Sequence, residues 1–254
     1  MAAPGHLATY DALLAASGES PYIRYAVGAR GVAAARAVPG GVAVPRTTHT
    51  GRQSWTLLGD ARAVGELLGQ APFQGAEAAR LPFSLTLART CLPLLDQGFR
   101  ITAGDDWDWM WTLTSPPASP RAHAEQRDVI PLAGRDASAV ARFLERHSPR
   151  ASTQPGGDHD WFGIHDASGD LVAIGALGTT SAGAGHLSSV AVDEHRRGEG
   201  LGARITAELT RIAVQRCGAC TLGLYADNAP ARALYRSVGY DGPLEWSTRI
   251  VTRR

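Results

Sequence analysis

Three glycines and an arginine between a strand pattern and a helix pattern form the first candidate for chemistry. The run S-S-V-A-V-D-E-H-R-R-G-E-G-L-G-A-R at 188–204 contains Gly198, Gly200 and Gly202, with Arg197 directly before them. A ligand can approach glycine closely because it has no side chain. The unpaired N–H groups and the dipole of the helix that follows attract an anion. The run therefore predicts a phosphate or pyrophosphate site.

The spacing of these glycines restricts the kind of phosphate ligand. They read G-x-G-x-G, and five residues, 193–197, separate Val192 from Gly198. A dinucleotide fingerprint instead reads G-x-G-x-x-G in a tight turn directly after the strand. The pattern thus disfavours a dinucleotide. From this run alone, the glycines could also serve merely to allow a turn and close helix packing.

A second run, L-G-L-Y-A-D-N-A-P-A-R-A-L-Y-R-S-V-G-Y at 222–240, predicts another helix with clear ends. Asn228 is a natural N-cap, and Pro230 lies in the first turn, where its missing N–H costs nothing. Gly239 can end the helix in a left-handed cap. Tyr235 lies two helical turns after Asn228 and shares its face.

Together the two runs resemble the GNAT acyl-CoA N-acyltransferases. The first is similar to their motif [Q/R]-x-x-G-x-G/A, through Arg197, Gly200 and Gly202. The second is similar to N-x-x-A-x-x-L-Y-x-x-x-G-[FY], matched here by Asn228, Ala231, Leu234, Tyr235, Gly239 and Tyr240. The resemblance covers about Asp128 to Arg254 and looks closest to the glycine-N-acyltransferase-like branch.

The resemblance implies a role for each matched residue. The co-substrate would be acetyl-CoA or another acyl-CoA, without a metal. Its pyrophosphate would bind the backbone amides from Gly198 to Ala203, a stretch that includes Glu199 and Leu201, with Arg197 beside it. Its pantetheine arm would pair with the strand edge Val190, Ala191 and Val192, where one N–H would stabilise the oxyanion. Asn228 would bond the pantetheine or cap the helix. Tyr235 would protonate the departing thiolate, although a core tyrosine is the alternative.

No motif in the sequence identifies the general base. Superfamily members often use a glutamate on a central strand, but the strands predicted at 186–192 and 221–225 hold no acidic residue. His186 is our candidate. A surface histidine at a strand start, a water chain, or an acidic residue from the N-terminal half are the alternatives.

Several other chemistries are excluded by composition. All 25 basic residues are arginine, so a P-loop, a protein kinase and a pyridoxal enzyme, which need a lysine, cannot be built. Cys217 and Cys220 form a lone C-x-x-C after a helix, which favours small buried residues over zinc or redox chemistry. His159 and His165 lack metal-ligand spacing.

Charge and hydropathy bear on partners and location. The net charge is +1, which favours neither nucleic acid nor an anionic membrane. No apolar run approaches a membrane span, and the N-terminus lacks the features of a signal peptide. We expect a cytoplasmic protein whose partner is a small-molecule or peptide amine; a homodimer is left open.

The elements divide into two halves around a Pro-rich stretch. We predict an N-terminal α/β domain at 1-114, a linker at 115-127 and a catalytic GNAT domain at 128-254. In the N-terminal domain we expect strands at Tyr22–Val27, Ser54–Leu58 and Phe83–Leu87, and a helix capped by Asp60. Trp107, Trp109 and Trp111 alternate along a half-buried strand, as core packing or as a ligand platform.

The C-terminal domain predicts the order β-α-β-β-β-α-β-α-β. Its strands are expected at Asp128–Leu132, Trp161–His165, Leu171–Leu177, His186–Val192, Thr221–Tyr225 and Leu244–Val251, and its helices at 137–147 after an Asp136 cap, Leu201–Arg216 and Ala229–Ser237. The expected fold class is α/β (α+β), a GNAT-type mixed, mostly antiparallel sheet flanked by helices. A smaller half, interpretable as a degenerate GNAT-like domain, precedes it.

Three functions fit these patterns. The first is an acetyl-CoA-dependent N-acetyltransferase acting on an amine by direct attack in a ternary complex. The second is a non-catalytic acyl-CoA-binding sensor or partner-binding module, which the missing strand glutamate favours. The third and weakest is a nucleotide-binding protein that uses the same glycine loop.

Overall fold

The computed structural model describes residues 5–7, 9–47, 53–70, 72–74, 83–117 and 128–254. The chain forms two compact units. The first comprises Met1–Trp109, Leu224–Asp227 and Pro243–Arg254, and the second comprises Met110–Gly223 and Asn228–Gly242. The predicted division into domains at 1–114 and 128–254 with a linker at 115–127 stays a prediction, and residues 118–127 of that linker lie outside the described ranges.

The first unit is a mixed sheet with helices. Its strands follow the order β1-β2-β3-β4-β5-β12-β6. They are β1 Gly5–His6, β2 Arg36–Val38, β3 Gly41–Thr47, β4 Gln53–Gly59, β5 Phe83–Ala88, β6 Phe99–Thr112 and β12 Asp241–Arg253; the helices are α1 Tyr10–Ala16, α2 Ala61–Leu68, a π-helical turn Ile23–Val27, and 3-10 segments Gly28–Ala34 and Arg89–Gln97. β4 and β5 are parallel, joined by α2, and the other registered pairs of this sheet are antiparallel.

The second unit has the strand order β11-β10-β9-β8-β7. Its strands are β7 Ile130–Leu132, β8 Asp160–His165, β9 Leu171–Thr179, β10 Gly185–Val192 and β11 Cys220–Tyr225; its helices are α3 Ala137–His147, α4 Leu201–Cys217, α5 Ala229–Val238, and 3-10 turns Gly134–Asp136 and Glu194–Arg196. β10 runs parallel to β11 and antiparallel to β9. The predicted mixed, mostly antiparallel sheet with flanking helices is confirmed.

Each unit has its own apolar core. In the first unit, α2 and the Arg89–Gln97 segment cover one sheet face around Leu57, Leu85 and Leu87. In the second, α3 contributes Val140, Phe143 and Leu144 to a cluster with β8–β10. These three residues recur at helical spacing, so the amphipathic pattern predicted this packing. Among the described residues, no helix has the length and apolar character needed to cross a membrane.

The predicted strand at Tyr22–Val27 is wrong. This segment forms a π-helical turn at Ile23–Val27. Tyr22 and Ile23 are both buried, and the Tyr22 ring packs edge-on against Trp109, with ring centroids 5.2 Å apart. A short apolar run has no periodicity that separates a strand from a buried helical turn, so tertiary packing decides here.

The predicted cap at Asp136 is also different. Its side chain makes no capping hydrogen bond to α3. Instead its Oδ2 accepts from the Ala133 N–H at 2.7 Å, across the 3-10 turn that precedes the helix. Asp60 does cap α2 as predicted, because its Oδ1 accepts from the Ala63 N–H at 2.8 Å.

The tryptophan strand departs from the predicted half-buried alternation over one short stretch. Trp109 and Met110 are buried, and Asp108, directly before them, is completely buried. The Asp108 carboxylate accepts from Arg89 Nη2 at 2.8 Å. A buried carboxylate needs such a partner, and the distant Arg89 could not be inferred from alternation.

Candidate active site

A bulge in β10 sets the geometry of the candidate site. Ser188 is paired with Ala176 of β9 and Ala191 with Ile174, so β10 contains one extra residue between them. At this point Ser189 has a φ of 51°, in the left-handed region. Its hydroxyl donates to the Thr153 carbonyl at 2.9 Å, which holds the bulged backbone against the 148–159 segment. A bulge re-aims backbone groups and ends regular pairing.

The bulge lies where β10 leaves its parallel neighbour. Three pairs join β10 to β11, from Gly185↔Cys220 to Leu187↔Leu222. Beyond Leu187 the register with β11 ends, while β9 continues to pair with β10 up to Val192↔Ala173. At residues 190–192, the edge of β10 on the side of β11 is therefore available to hydrogen-bond another extended segment or ligand. No feature of the sequence signalled this bulge.

The loop after β10 leads into a helix with an uncapped N-terminus. α4 begins at Leu201, and its N-cap Gly200, at φ 77°, supplies no side-chain hydrogen bond. Gly198 has a φ of 85°, and a Cβ at either glycine would meet nothing within 4 Å. Because both positions are left-handed and open, they expose the first-turn amides of α4 to an anion.

Gly202 has a different role. A Cβ there would lie 3.1 Å from Leu234 Cδ1 of α5 and 3.5 Å from Val192 Cγ2 of β10. The absent side chain lets α4 pack closely against both elements. The two explanations offered for the glycine run therefore apply to different residues: open backbone at 198 and 200, and close packing at 202.

An ion pair neutralises Glu199, the acidic residue between Gly198 and Gly200. Arg196 donates from Nε and Nη2 to the two carboxylate oxygens of Glu199, at 2.6 and 2.8 Å, and also lies 3.5 Å from Asp166. Without this pairing, the Glu199 carboxylate would repel an anion at the helix N-terminus. Arg197 is exposed. At the start of the loop, the His195 N–H bonds to Asp193 and lowers the pKa of that carboxyl.

Asn228 and Gly239 delimit α5 as predicted. The Asn228 Oδ1 accepts from the Ala231 N–H at 3.2 Å, so its capping role is observed. Gly239 ends the helix with a φ of 100°. Between them, α5 presents Leu234 to Gly202 of α4 and buries Tyr235.

Tyr235 is 8% exposed, and burial raises the pKa of its phenol to about 12. The described residues provide no hydrogen-bond partner for this hydroxyl. It is therefore protonated at neutral pH and has an unused donor. A structural tyrosine normally bonds its hydroxyl when buried, as Tyr240 does with Thr210 at 2.7 Å. The Tyr235 hydroxyl is not among the solvent-shielded polar atoms that lack a partner, so it is accessible to solvent, and its part in the reaction stays a prediction.

His186 lies before the bulge, on the part of β10 that still pairs with β11. The Thr221 hydroxyl donates to the Gly185 carbonyl at 3.1 Å, so its oxygen accepts from His186 Nδ1–H at 2.9 Å. In the neutral ring, this assigns the acceptor role to Nε2. Val192 lies six positions after His186, about 20 Å along a strand. The structure therefore gathers 190–192, the loop, α4 and Leu234 at one end of β10 and places His186 at the other.

The C-x-x-C pair is not arranged for thiol chemistry. Cys220 is completely buried, and burial raises the pKa of its thiol to about 12. The Tyr240 hydroxyl lies 3.1 Å from its Sγ. A raised pKa makes the thiol a poor nucleophile at neutral pH, and the prediction of a small buried residue is confirmed for Cys220.

Alkaline pH should destabilise the second unit through these buried groups. The thiol of Cys220 and the phenol of Tyr235 each ionise near pH 12 when folded but near 8.5 and 10 when unfolded. A raised folded-state pKa stabilises the protein fully below the unfolded value, and this stabilisation is lost as pH rises toward 12. We expect the free energy of unfolding in urea to fall from pH 9 to 11. Tyr235→Phe should make the fall above pH 10 shallower; an unchanged slope would contradict this.

The first unit contains a comparable strand–helix–strand segment without these features. β4 and β5 are parallel and pair regularly from Ser54↔Ser84 to Leu57↔Leu87. One residue, Asp60, separates β4 from α2, and its carboxylate caps the helix. That helix N-terminus already holds an anionic group, so a phosphate would be repelled. Of the crossovers that join β4 to β5 and β10 to β11, only the second has the open glycine loop.

Known proteins match the part of the chain that carries this site. Residues 130–240 match the family model described as Acetyltransferase (GNAT) family. This segment, somewhat under half of the chain, is therefore similar to the GNAT acetyltransferases. A mycothiol acetyltransferase from Kocuria rhizophila is 34% identical over 95 residues, covering 37% of this chain and 27% of the relative. The chain thus spans about a quarter of the length of that curated relative.

Solved structures extend the similarity of fold. A GCN5-related N-acetyltransferase from Kribbella flavida has a TM-score of 0.53 and 19% identity, covering 95% of this chain and 93% of its own. A second, from Sphaerobacter thermophilus, has a TM-score of 0.53 and 18% identity, covering 84% of this chain and 76% of its own. At these identities the likeness concerns the fold, and it includes the N-terminal region.

Proposed function

We propose that this protein is an acetyl-CoA-dependent N-acetyltransferase that moves the acyl group directly to an amine in a ternary complex. The observation that carries the proposal is the bulged β10, which separates from β11 and leads into the open Gly198–Gly200 loop and the uncapped α4. A free strand edge followed by an anion site suits a long ligand with amide groups and a pyrophosphate. Acyl-CoA has that form and supplies an activated thioester.

The order of groups along β10 supports assigned roles. Amides from Gly198 to Ala203, with Arg197 nearby, bind the pyrophosphate; the edge of Val190–Val192 binds the pantetheine arm. Backbone N–H groups at the bulge lie farther along the strand, where negative charge on the acyl oxygen needs donors. Tyr235, protonated because of its raised pKa, donates its proton to the departing sulfur. Asn228 holds the start of α5 in place.

The amine must lose a proton before it attacks. His186 is the base we propose, because its Nδ1–H bond to Thr221 orients the ring with Nε2 as acceptor. The acidic alternatives on β10 and β11 are missing, since residues 185–192 and 220–225 contain no Asp or Glu. We further propose a cytoplasmic location, since acyl-CoA is formed inside the cell. The glycine-N-acyltransferase-like branch and a homodimer stay predictions.

The decisive experiment follows free thiol during incubation with acetyl-CoA and a panel of amines: amino acids, polyamines, aminosugars and peptide N-termini. Thiol release that depends on one amine, with intersecting initial-rate patterns, is the expected result. Parallel patterns would contradict direct transfer. Tight CoA binding without turnover on any amine would instead favour the acyl-CoA sensor.

His186→Gln should lower kcat/KM by about a hundredfold and remove the acidic limb of its pH profile. Glutamine keeps a donor toward Thr221 but offers no basic nitrogen. Thr221→Val serves as the matched control: it keeps the imidazole and removes its orienting acceptor, so we expect about a tenfold loss with the acidic limb retained. An unchanged pH profile in His186→Gln would remove this histidine from the mechanism.

A further inference from the structure

One face of the first unit's sheet is lined with buried hydroxyls rather than apolar side chains. Strand register places Thr56 beside Thr86 and Thr86 beside Thr248, and the adjacent row pairs Arg46 with Ser54. Thr56, Thr86 and Ser54 are completely buried. Burying a hydroxyl is unfavourable unless it is hydrogen-bonded, so each of these groups requires a partner.

The hydrogen bonds on this face leave donors unused. Trp107 Nε1 donates to the Thr248 hydroxyl at 2.8 Å, and Arg46 Nη2 donates to the Thr86 hydroxyl at 3.5 Å. The Thr86 and Thr248 hydroxyls are 2.8 Å apart and share one hydrogen bond. This bond uses one of the two hydroxyl protons, and the other proton still needs an acceptor.

Two further atoms on this face have no partner among the described residues. Thr56 Oγ1 and Arg46 Nε are shielded from solvent and make no hydrogen bond there. The polar contact of the Arg46 side chain within the described residues is the Thr86 hydroxyl, and its guanidinium carbon lies 5.8 Å from the centre of the Trp107 ring. Neither contact neutralises its charge. Within the part of the chain that the structure describes, the face thus has a cation and unused N–H and O–H donors but no matching acceptor.

We propose that Arg46, Thr56, Thr86, Thr248 and Trp107 form a binding site for a small carboxylate. A carboxylate supplies the acceptor oxygens this group lacks, and its single negative charge matches the single guanidinium. The planar fork of arginine suits a carboxylate, and the Trp107 ring forms an apolar wall. Arg46 and Trp107 are half-buried, so the site is reachable from solvent. It is independent of the acyl-CoA loop in the other unit.

The test is a titration of the full chain with sodium acetate, against sodium chloride at equal ionic strength, followed by the indole N–H resonance of Trp107 in NMR. Trp107→Phe assigns that resonance. We expect a saturable shift with acetate and none with chloride. Arg46→Met should weaken acetate binding at least tenfold, whereas Arg62→Met, which removes an exposed arginine of the same unit, should leave it unchanged. An equal loss in both variants would overturn the site.

Thr56→Val tests the site without removing a charge. Valine has nearly the shape of threonine and lacks the hydroxyl, so it should raise the melting temperature of the free protein and weaken acetate binding severalfold. A raised melting temperature with unchanged binding would overturn the assignment of Thr56 as a ligand. A parallel titration with sodium phosphate tests the class of ligand. Tighter binding of phosphate than of acetate would overturn the assignment of a carboxylate as the ligand. The absence of a saturable shift with either anion would overturn the whole proposal.

Discussion

Replacing Tyr235 with phenylalanine should lower kcat about a hundredfold while leaving the affinity for acetyl-CoA nearly unchanged. A general acid contributes on the order of 10²–10⁴ in rate. Because a thiolate is a good leaving group even without protonation, we expect an effect at the lower end of that range. The variant keeps the buried ring against Tyr240, whose centroid lies 5.9 Å away. Because the lost hydroxyl has no hydrogen-bond partner in the described residues, no group is left unsatisfied and the fold should be retained.

Tyr240→Phe is the matched control for this prediction. Its hydroxyl lies 2.7 Å from Thr210 Oγ1 and 3.1 Å from Cys220 Sγ, so its loss should lower the free energy of unfolding by about 1–2 kcal/mol. We expect its kcat to stay within about twofold of the parent protein, since a structural hydrogen bond contributes no proton to the reaction. Steady-state kinetics and urea denaturation of both variants provide the comparison. A reversed pattern, with kcat lost in Tyr240→Phe and retained in Tyr235→Phe, would reassign the acid.

Gly200→Glu should weaken CoA binding by about a hundredfold or more in calorimetry. The substitution brings a negative charge to the N-terminus of α4, where it competes with the pyrophosphate for the same amides. It also forces a side chain into a left-handed φ of 77°, at a cost of about 1 kcal/mol. Gly200→Ala separates the two effects, since it retains the strain and omits the charge; we expect only a severalfold loss.

Gly183→Glu is the control that matches both strain and charge. Gly183 has a φ of 84°, and a Cβ there would also meet nothing within 4 Å. It lies in the turn before β10, at the end of the strand opposite the glycine loop. The same substitution there should leave CoA affinity unchanged. If the two glutamate variants bind CoA equally well, the pyrophosphate does not bind at Gly200.

The crossover in the first unit shows how a small sequence difference changes such a site. Asp60 caps α2 with its own carboxylate, while Gly200 leaves α4 uncapped. An anion is disfavoured at the first helix and favoured at the second. This supports the interpretation of the N-terminal half as a GNAT-like domain without a cofactor loop, which stays a proposal.

Local patterns in the sequence determined much of the second unit. Asn228, Gly239, Gly198 and Gly200 act through their own backbone and the next turn, so their roles follow from residue type and spacing. The amphipathic pattern of 137–147 likewise predicted which side chains are buried. Such interactions join residues a few positions apart, and they need no knowledge of distant segments.

Tertiary structure alone decided the remaining features. The bulge at Ser189 arises because β10 has one more residue than β9 over the same stretch of paired strand. Asp108 is buried with a partner because Arg89 reaches it from another element. Ile23–Val27 forms a helical turn, and the preceding Tyr22 packs against Trp109, which is 87 positions away in the sequence. Register across four strands collects Arg46, Thr56, Thr86 and Thr248 into one face, although 202 positions separate the first from the last. Such long-range pairings leave no periodic trace in the sequence, because neither partner is constrained by its neighbours along the chain.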